Sequence, residues 1–288
     1  MAFNKKQISV SIAIGIVCAI AASWAADLLS FPLLSSLHTL SLSAWTRPIP
    51  IDWLRDEDVC EPQTYRTEIV SLDPLVIYIH DFFNARDIKN LLKVGKDRFK
   101  PSVVHQNGRM VENPYRTSTS AVLPPEDPAV RCVLERSRKF LGTMLDPDGD
   151  EMGVPQLVQY VQGQHYNLHQ DWMRTPQAAF DGTARTFNRL ASFFVILEDG
   201  CAGGETWFPL ITPAWDDLPD DRDGTRLWHE HEAGGIAFKP VAGNAIFWVN
   251  LLANGTGDIR TVHAGLPVTG GLKTAMNIWP RKYTPIPQ

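Results

Sequence analysis

The chain has 288 residues, a formal net charge of −5 and an isoelectric point near 5.9, long enough for one large domain or two small ones. Its acidic balance and scattered Lys and Arg argue against a nucleic-acid binder, which presents a basic face to phosphates. Four cysteines (Cys18, Cys60, Cys132, Cys201) are too few and too widely spaced for a disulfide scaffold or a cysteine zinc site.

In chain order, Lys5 and Lys6 precede an uncharged run over residues 8–26, close to the roughly 20 apolar residues that span a bilayer. No further Lys or Arg appears until Arg47, so the positive-inside bias places the remainder in the lumen. The reading is an uncleaved signal-anchor, single-pass in the endoplasmic reticulum membrane. Its alternative is secretion after cleavage near Ser23-Trp24-Ala25. Lumenal delivery makes Asn254-Gly255-Thr256 a usable glycosylation sequon. It also allows one disulfide among Cys60, Cys132 and Cys201, and which two would pair is open.

Residues 27–66 mix Ser, Leu, Pro and acidic residues without periodicity and read as a stalk before a domain over 67–288. Ile69-Val70 and residues 75–79 are strand-like, and Asn84 is placed to cap a helix carrying Ile88, Leu91, Leu92 and Val94. Residues 117–123 alternate like a strand. A second helix fits 128–141, with Val130, Val133, Leu134 and Phe140 as its apolar set. From residue 156 onward the texture changes to short apolar runs broken by Gly, Pro and Asn, at 157–161, 190–197, 235–238, 245–249 and 272–278. This pattern predicts a mainly β, α+β fold: a jelly roll with supporting helices. Residues 213–226 read as an acidic surface loop, with His229 and His231 as solvated loop residues.

The chemistry concentrates around His169-Gln170-Asp171. In an extended segment, side chains two apart share a side, so this pair can reach one ion. A second imidazole, His263, stands on another predicted strand. Two imidazoles and one carboxylate leave adjacent metal positions open, which suits iron with a chelating cosubstrate and O2. Ten positions later Lys273 interrupts an apolar strand. A lone cation there needs an anionic partner, and a dianionic cosubstrate supplies one, with Tyr160 as a hydroxyl donor beside it.

Several longer patterns follow: Tyr160-X-X-Gly163-X-X-Tyr166-X-X-His169-X-Asp171, Gly203-Gly204-Glu205-Thr206-Trp207-Phe208-Pro209, and His263-Ala264-Gly265-Leu266-Pro267-Val268 with Lys273. Together with Ser71-Leu72-Asp73-Pro74, Arg116-Thr117-Ser118 and Pro240-X-X-Gly243-Asn244-Ala245-Ile246-Phe247-Trp248, they resemble the catalytic domain of prolyl 4-hydroxylases over residues 67–282. The resemblance implies a cupin-like double-stranded β-helix with Fe(II) held by His169, Asp171 and His263. It implies 2-oxoglutarate bound by Lys273 with Tyr160 and Thr206, and O2 as oxidant; ascorbate is a candidate auxiliary on which the sequence is silent. Tyr166, Arg189, Trp279 and Arg116 are the implied substrate residues. The implied reaction couples oxidative decarboxylation of 2-oxoglutarate, to succinate and CO2, with hydroxylation of a peptidyl proline. Thr274 and Leu266 depart from the family pattern, which often has an aromatic residue and a Cys there. These departures leave a free amino acid or small natural product as the alternative substrate. A non-catalytic lumenal peptide-binding module is the alternative of another class.

Overall fold

A computed structural model describes residues 60–106, 109–214 and 226–285. The apolar run over 8–26, most of the expected stalk and residues 215–225 of the acidic insertion lie outside the described residues. Among the described residues no helix is long and apolar enough to cross a membrane.

The chain begins with strands β1 (Arg66–Leu72) and β2 (Leu75–His80), helix α1 (Ala85–Gly95), strands β3 (Lys100–Pro101), β4 (Val103–Gln106), β5 (Arg109–Glu112) and β6 (Thr119–Val122), and helix α2 (Pro128–Leu141). Strands β7 (Gln156–Val161), β8 (Tyr166–His169), β9 (Gln177–Ala178), β10 (Arg185–Arg189), β11 (Ala191–Glu198), β12 (Cys201–Gly203) and β13 (Thr206–Phe208) follow. The last are β14 (Trp228–Glu230), β15 (Ile236–Phe238), β16 (Ala245–Val249), β17 (His263–Gly265), β18 (Val268–Ile278) and β19 (Arg281–Pro285).

Most of these strands form two facing antiparallel sheets, with β19-β10-β9 and β4-β5 as smaller separate sheets. The major sheet runs β1-β2-β16-β11-β18-β7-β6-β3, and the minor sheet β14-β15-β13-β17-β8. Strand alternation divides the apolar residues between two cores. On β11, Phe193, Val195 and Leu197 face a core shared with Leu91 of α1 and Val130, Val133 and Leu141 of α2. Phe194 and Ile196 face the other way, into a core shared with Phe208, Ile236 and Phe238 of the minor sheet. The major sheet is thus covered on both faces at β11, which is why that strand is apolar over 193–197 on both of its sides. The result is a double-stranded β-helix, or jelly roll, backed by two helices.

Local signals explain the helices. Asn84 caps α1 with its side chain accepting from Asp87 N at 2.8 Å, while the Asp87 carboxylate accepts from Asn84 N at 3.1 Å. Asp127 caps α2 by accepting from Ala129 N at 2.9 Å, with Pro128 in the first turn where its missing N–H costs nothing. Arg136 of α2 forms an ion pair with Asp87, binding the two helices together.

Two expectations need correction. Residues 60–65, read as the end of a stalk, are fastened to the domain. Cys60 is disulfide-bonded to Cys132 of α2, Glu61 forms an ion pair with Arg86 at 2.7 Å, and Tyr65 packs edge-on against Phe82. Cys201 is left as a free thiol. Secondly, His229 lies in strand β14 rather than a loop. Its neighbour Trp228 is buried and donates to Glu68 Oε1 at 2.9 Å, which anchors that segment as the minor sheet's edge.

Candidate active site

Strands β8 and β17 pair so that His169 and His263 are directly opposed, and Asp171 follows β8 by two residues. One ligand atom from each of these three lies within 4.8 Å of the others. Both imidazoles are oriented by main chain: His169 Nδ1 meets Asn167 O at 2.8 Å and His263 Nδ1 meets Thr261 O at 3.0 Å. A carbonyl only accepts, so each Nδ1 carries the proton and each Nε2 is left bare as a ligand. Tyr166 stacks on His169 with centroids 3.5 Å apart, and Phe208 and Trp248 pack on His263 at 5.1 and 4.8 Å. These rings hold the imidazoles in place.

The carboxylate is oriented as firmly. Asp171 Oδ2 accepts from Ser192 Oγ at 2.6 Å and from Trp279 Nε1 at 2.9 Å, while Oδ1 lies 3.9 Å from Arg189 Nη1 and is the oxygen left for a metal. Burial works to raise the Asp171 carboxyl, but His263, Arg189 and His169 outweigh it and hold it down at about 2. Burial and the neighbouring His263 push His169 down to about 3. At neutral pH Asp171 is therefore an anion and His169 a neutral imidazole, the protonation states a divalent metal requires of them.

Lys273 on β18 stands directly opposite Tyr160 on β7, so both side chains share the face between the sheets. The lysine is 2% exposed. Its Nζ donates to Gly204 O at 2.6 Å and lies 5.0 Å from the centre of the Phe194 ring. Among the described residues no carboxylate forms an ion pair with it. Burial pulls Lys273 down to about 8, with Cys201 and Glu205 acting in the opposite sense. Gly204 has φ +73°, and a Cβ there would sit 3.0 Å from Val268 and 3.4 Å from the lysine stem, so glycine permits this close approach. Tyr160 is buried and pushed up to about 12, chiefly by burial, which keeps its hydroxyl a neutral donor. Thr206 is buried two residues beyond Gly204, opposite Gly265 of β17.

The four expected substrate residues also gather here, with differing contacts. Arg116 lies over the Tyr166 ring at 4.8 Å and donates to Val103 O and Gln156 Oε1. Arg189 stacks on Trp279 at 3.9 Å and donates to Asp171 O at 3.0 Å. Arg189 and Trp279 thus both direct their polar groups at Asp171. Asn254 stands apart on an exposed turn, accepting from Thr256 N at 3.0 Å. His229 stands apart too, 3.8 Å from Glu205. Sequence reasoning missed Ser192 and Asn250, although each is a polar residue inside or directly after an apolar strand run, which is a readable signal.

Residues 155–281 match the 2OG-Fe(II) oxygenase superfamily, and His169, Asp171, His263, Lys273 and Tyr160 all fall within that span. Over these residues the chain is similar to the 2OG-Fe(II) oxygenases, prolyl 4-hydroxylases among them. It is 30% identical over 209 residues to prolyl 4-hydroxylase subunit alpha-1 of Rattus norvegicus, covering 72% of this chain and 34% of that one. It is 26% identical over 240 residues to prolyl 4-hydroxylase 1 of Arabidopsis thaliana, covering 80% of this chain and 77% of that one. The chain therefore spans about a third of the length of the α subunits it matches and most of the plant protein. Among solved structures, the viral collagen prolyl hydroxylase of Paramecium bursaria Chlorella virus-1, in its 2OG complex, is 22% identical with a TM-score of 0.49. That match covers 77% of this chain and 98% of the viral one.

The residues present fit the oxygenase's iron and cosubstrate. Two bare imidazole nitrogens and one carboxylate oxygen make a three-donor set with room for further ligands. A buried ammonium with no ion-pair partner among the described residues, on the same inter-sheet face, suits the remote carboxylate of a dicarboxylic acid.

Proposed function

We propose that this oxygenase domain hydroxylates peptidyl proline, as a prolyl 4-hydroxylase dependent on Fe(II) and 2-oxoglutarate. The observation that carries the cosubstrate is Lys273, a buried cation without an ion-pair partner among the described residues, beside a two-imidazole, one-carboxylate cluster. The names of the relatives support proline as the target.

His169 Nε2, Asp171 Oδ1 and His263 Nε2 would hold the iron, and Lys273 with Tyr160 and Thr206 the distal carboxylate of 2-oxoglutarate. When bound, iron and 2-oxoglutarate supply O2 activation, with succinate and CO2 as products and one oxygen atom delivered to substrate. The chain's own residues bind and orient. Phe194, Phe208 and Trp248 wall the site with apolar surface and keep water from it. Tyr166, Arg116, Arg189 and Trp279 form the side from which substrate approaches. Of the two departures from the family pattern, Thr274 lies on the opposite face of β18 from Lys273, bonded to Glu198 and Gln159. It leaves the cosubstrate pocket untouched.

The setting follows the same reading: a single-pass endoplasmic reticulum membrane protein with this domain lumenal and Asn254 glycosylated. Lys5 and Lys6 before the uncharged run support the orientation, and a disulfide between Cys60 and Cys132 suits an oxidising compartment. Proteinase protection of microsomes and loss of a glycan in Asn254→Gln test it; an unglycosylated, protease-accessible domain would refute it.

The decisive assay for activity incubates the purified chain with Fe(II), 2-oxoglutarate and either Pro-rich peptides or free amino acids. Succinate and a one-oxygen mass gain confined to peptidyl proline are expected. A gain confined to small molecules would transfer the activity to that substrate class, and no succinate with any substrate would leave a binding module.

A further inference from the structure

We propose that Ser192 and Asn250 are positioning residues that make Asp171 a one-oxygen ligand, through a hydrogen-bond relay that can run in only one direction. The inference rests on reading His169, Asp171 and His263 as the metal site.

The relay lies wholly in the interior. Ser192 is the sole polar residue of the run 191–197, and both it and Asn250 are 0% exposed. Ser192 Oγ meets Asp171 Oδ2 at 2.6 Å, and Asn250 Nδ2 meets Ser192 Oγ at 2.9 Å. An amide NH2 only donates, so the serine oxygen must accept from it. The serine proton is then committed to Asp171 Oδ2, which accepts it. Trp279 Nε1 brings a second donor to the same Oδ2 at 2.9 Å. With Oδ2 doubly engaged, the carboxylate is fixed about its side-chain torsion and presents Oδ1 alone. Without the serine donor the carboxylate is free to rotate about that torsion and must be ordered afresh each time a metal binds.

The Asn250 side chain is not required for local backbone structure. Its own N–H donates to Leu190 O and its carbonyl accepts from Asp258 N, each at 2.8 Å. Moreover Asn250 Oδ1 is buried with no donor among the described residues. A buried carbonyl left unbonded costs stability, so an apolar residue of similar size would be favoured if folding were all that mattered. A residue retained against its own stability cost, and aimed at the hydroxyl that aims at the metal ligand, fits orientation of that ligand.

The test titrates the metal-free, full-length chain with Co(II), followed by its ligand-field absorption, and measures thermal unfolding of the same metal-free proteins. Ser192→Ala and Asn250→Leu are expected to bind Co(II) about 10- to 100-fold more weakly than wild type, the usual effect of removing a group that orients a ligand. Ser192→Thr, which keeps the hydroxyl, restores affinity. Asn250→Leu keeps or raises the unfolding midpoint while losing affinity, a split that a structural role does not produce. Wild-type Co(II) affinity in both Ser192→Ala and Asn250→Leu would overturn the relay while leaving the metal site intact. Should Ser192→Ala fail to fold, Asn250→Leu decides alone. Failure of wild type to bind Co(II) would instead refute the metal-site reading.

Discussion

Lys273 ties the chemistry to pH in a way the iron ligands do not. Below about 8 the buried ammonium is charged in folded and unfolded chains alike, so the cost of burying it is fully present. From about 8 up to its ordinary 10.5 the folded lysine loses its proton while the unfolded one keeps it. The unfolded state then binds more protons, and stability of the cosubstrate-free protein rises through this window. Over the same window 2-oxoglutarate loses its cationic partner, so its KM rises. Opposite slopes of unfolding midpoint and of 2-oxoglutarate affinity between these pH values are expected, and parallel slopes would exclude Lys273 as their common origin. Lys273→Ala raises the KM for 2-oxoglutarate about 100-fold, the scale of unpairing a buried charge, and leaves Co(II) binding unchanged. His169→Ala abolishes turnover, read as succinate release. At this scale much of the site was legible, because His169, Asp171, His263 and Lys273 each break a pattern that composition alone would not break. Ser192 and Asn250 were legible only as oddities, since a hydroxyl in an apolar run shows its partner only once β11 lies beside Asp171.

The elements that carry these residues depend on a few backbone positions. Gly271 has φ +77°, and a Cβ there would stand 2.0 Å from Gly200 O on the neighbouring segment. Gly271→Ala combines a left-handed conformation with a main-chain clash, at a cost of about 2 kcal/mol or more. Since Lys273 is only two residues further along β18, a lower denaturant midpoint should come with a higher KM for 2-oxoglutarate. Long elements were readable in advance: α1 from its cap and apolar stripe, α2 from its apolar stripe, and β7, β11, β16 and β18 from short, largely apolar runs. The three-residue strands β12, β13 and β14 were not, because so short a segment has no period of its own and becomes a strand only through its partners. Trp228 illustrates this: it reads as part of a polar stretch until Glu68, far away in sequence, accepts from its indole.

For the whole molecule, the Cys60–Cys132 link closes a loop of 72 residues that contains β1, β2, both capped helix starts and the β4–β5 hairpin. Chain-entropy reasoning places its contribution at up to about 4 kcal/mol. Unfolding with and without dithiothreitol, or in Cys132→Ser, should show a midpoint lowered accordingly. Equal midpoints would mean that Glu61, Tyr65 and Gln63, whose amide donates to Asp81 O at 2.7 Å, hold the segment without the bond. This fastening has a mechanical side as well. Strand β1 is the outer strand of the major sheet, and a pull from the amino-terminal side on an unlinked chain would peel it from β2 one hydrogen bond at a time. With Cys60 covalently joined to α2, the load passes into the helix layer before it reaches β1, so the sheet bearing Lys273 is shielded from tension along the incoming polypeptide.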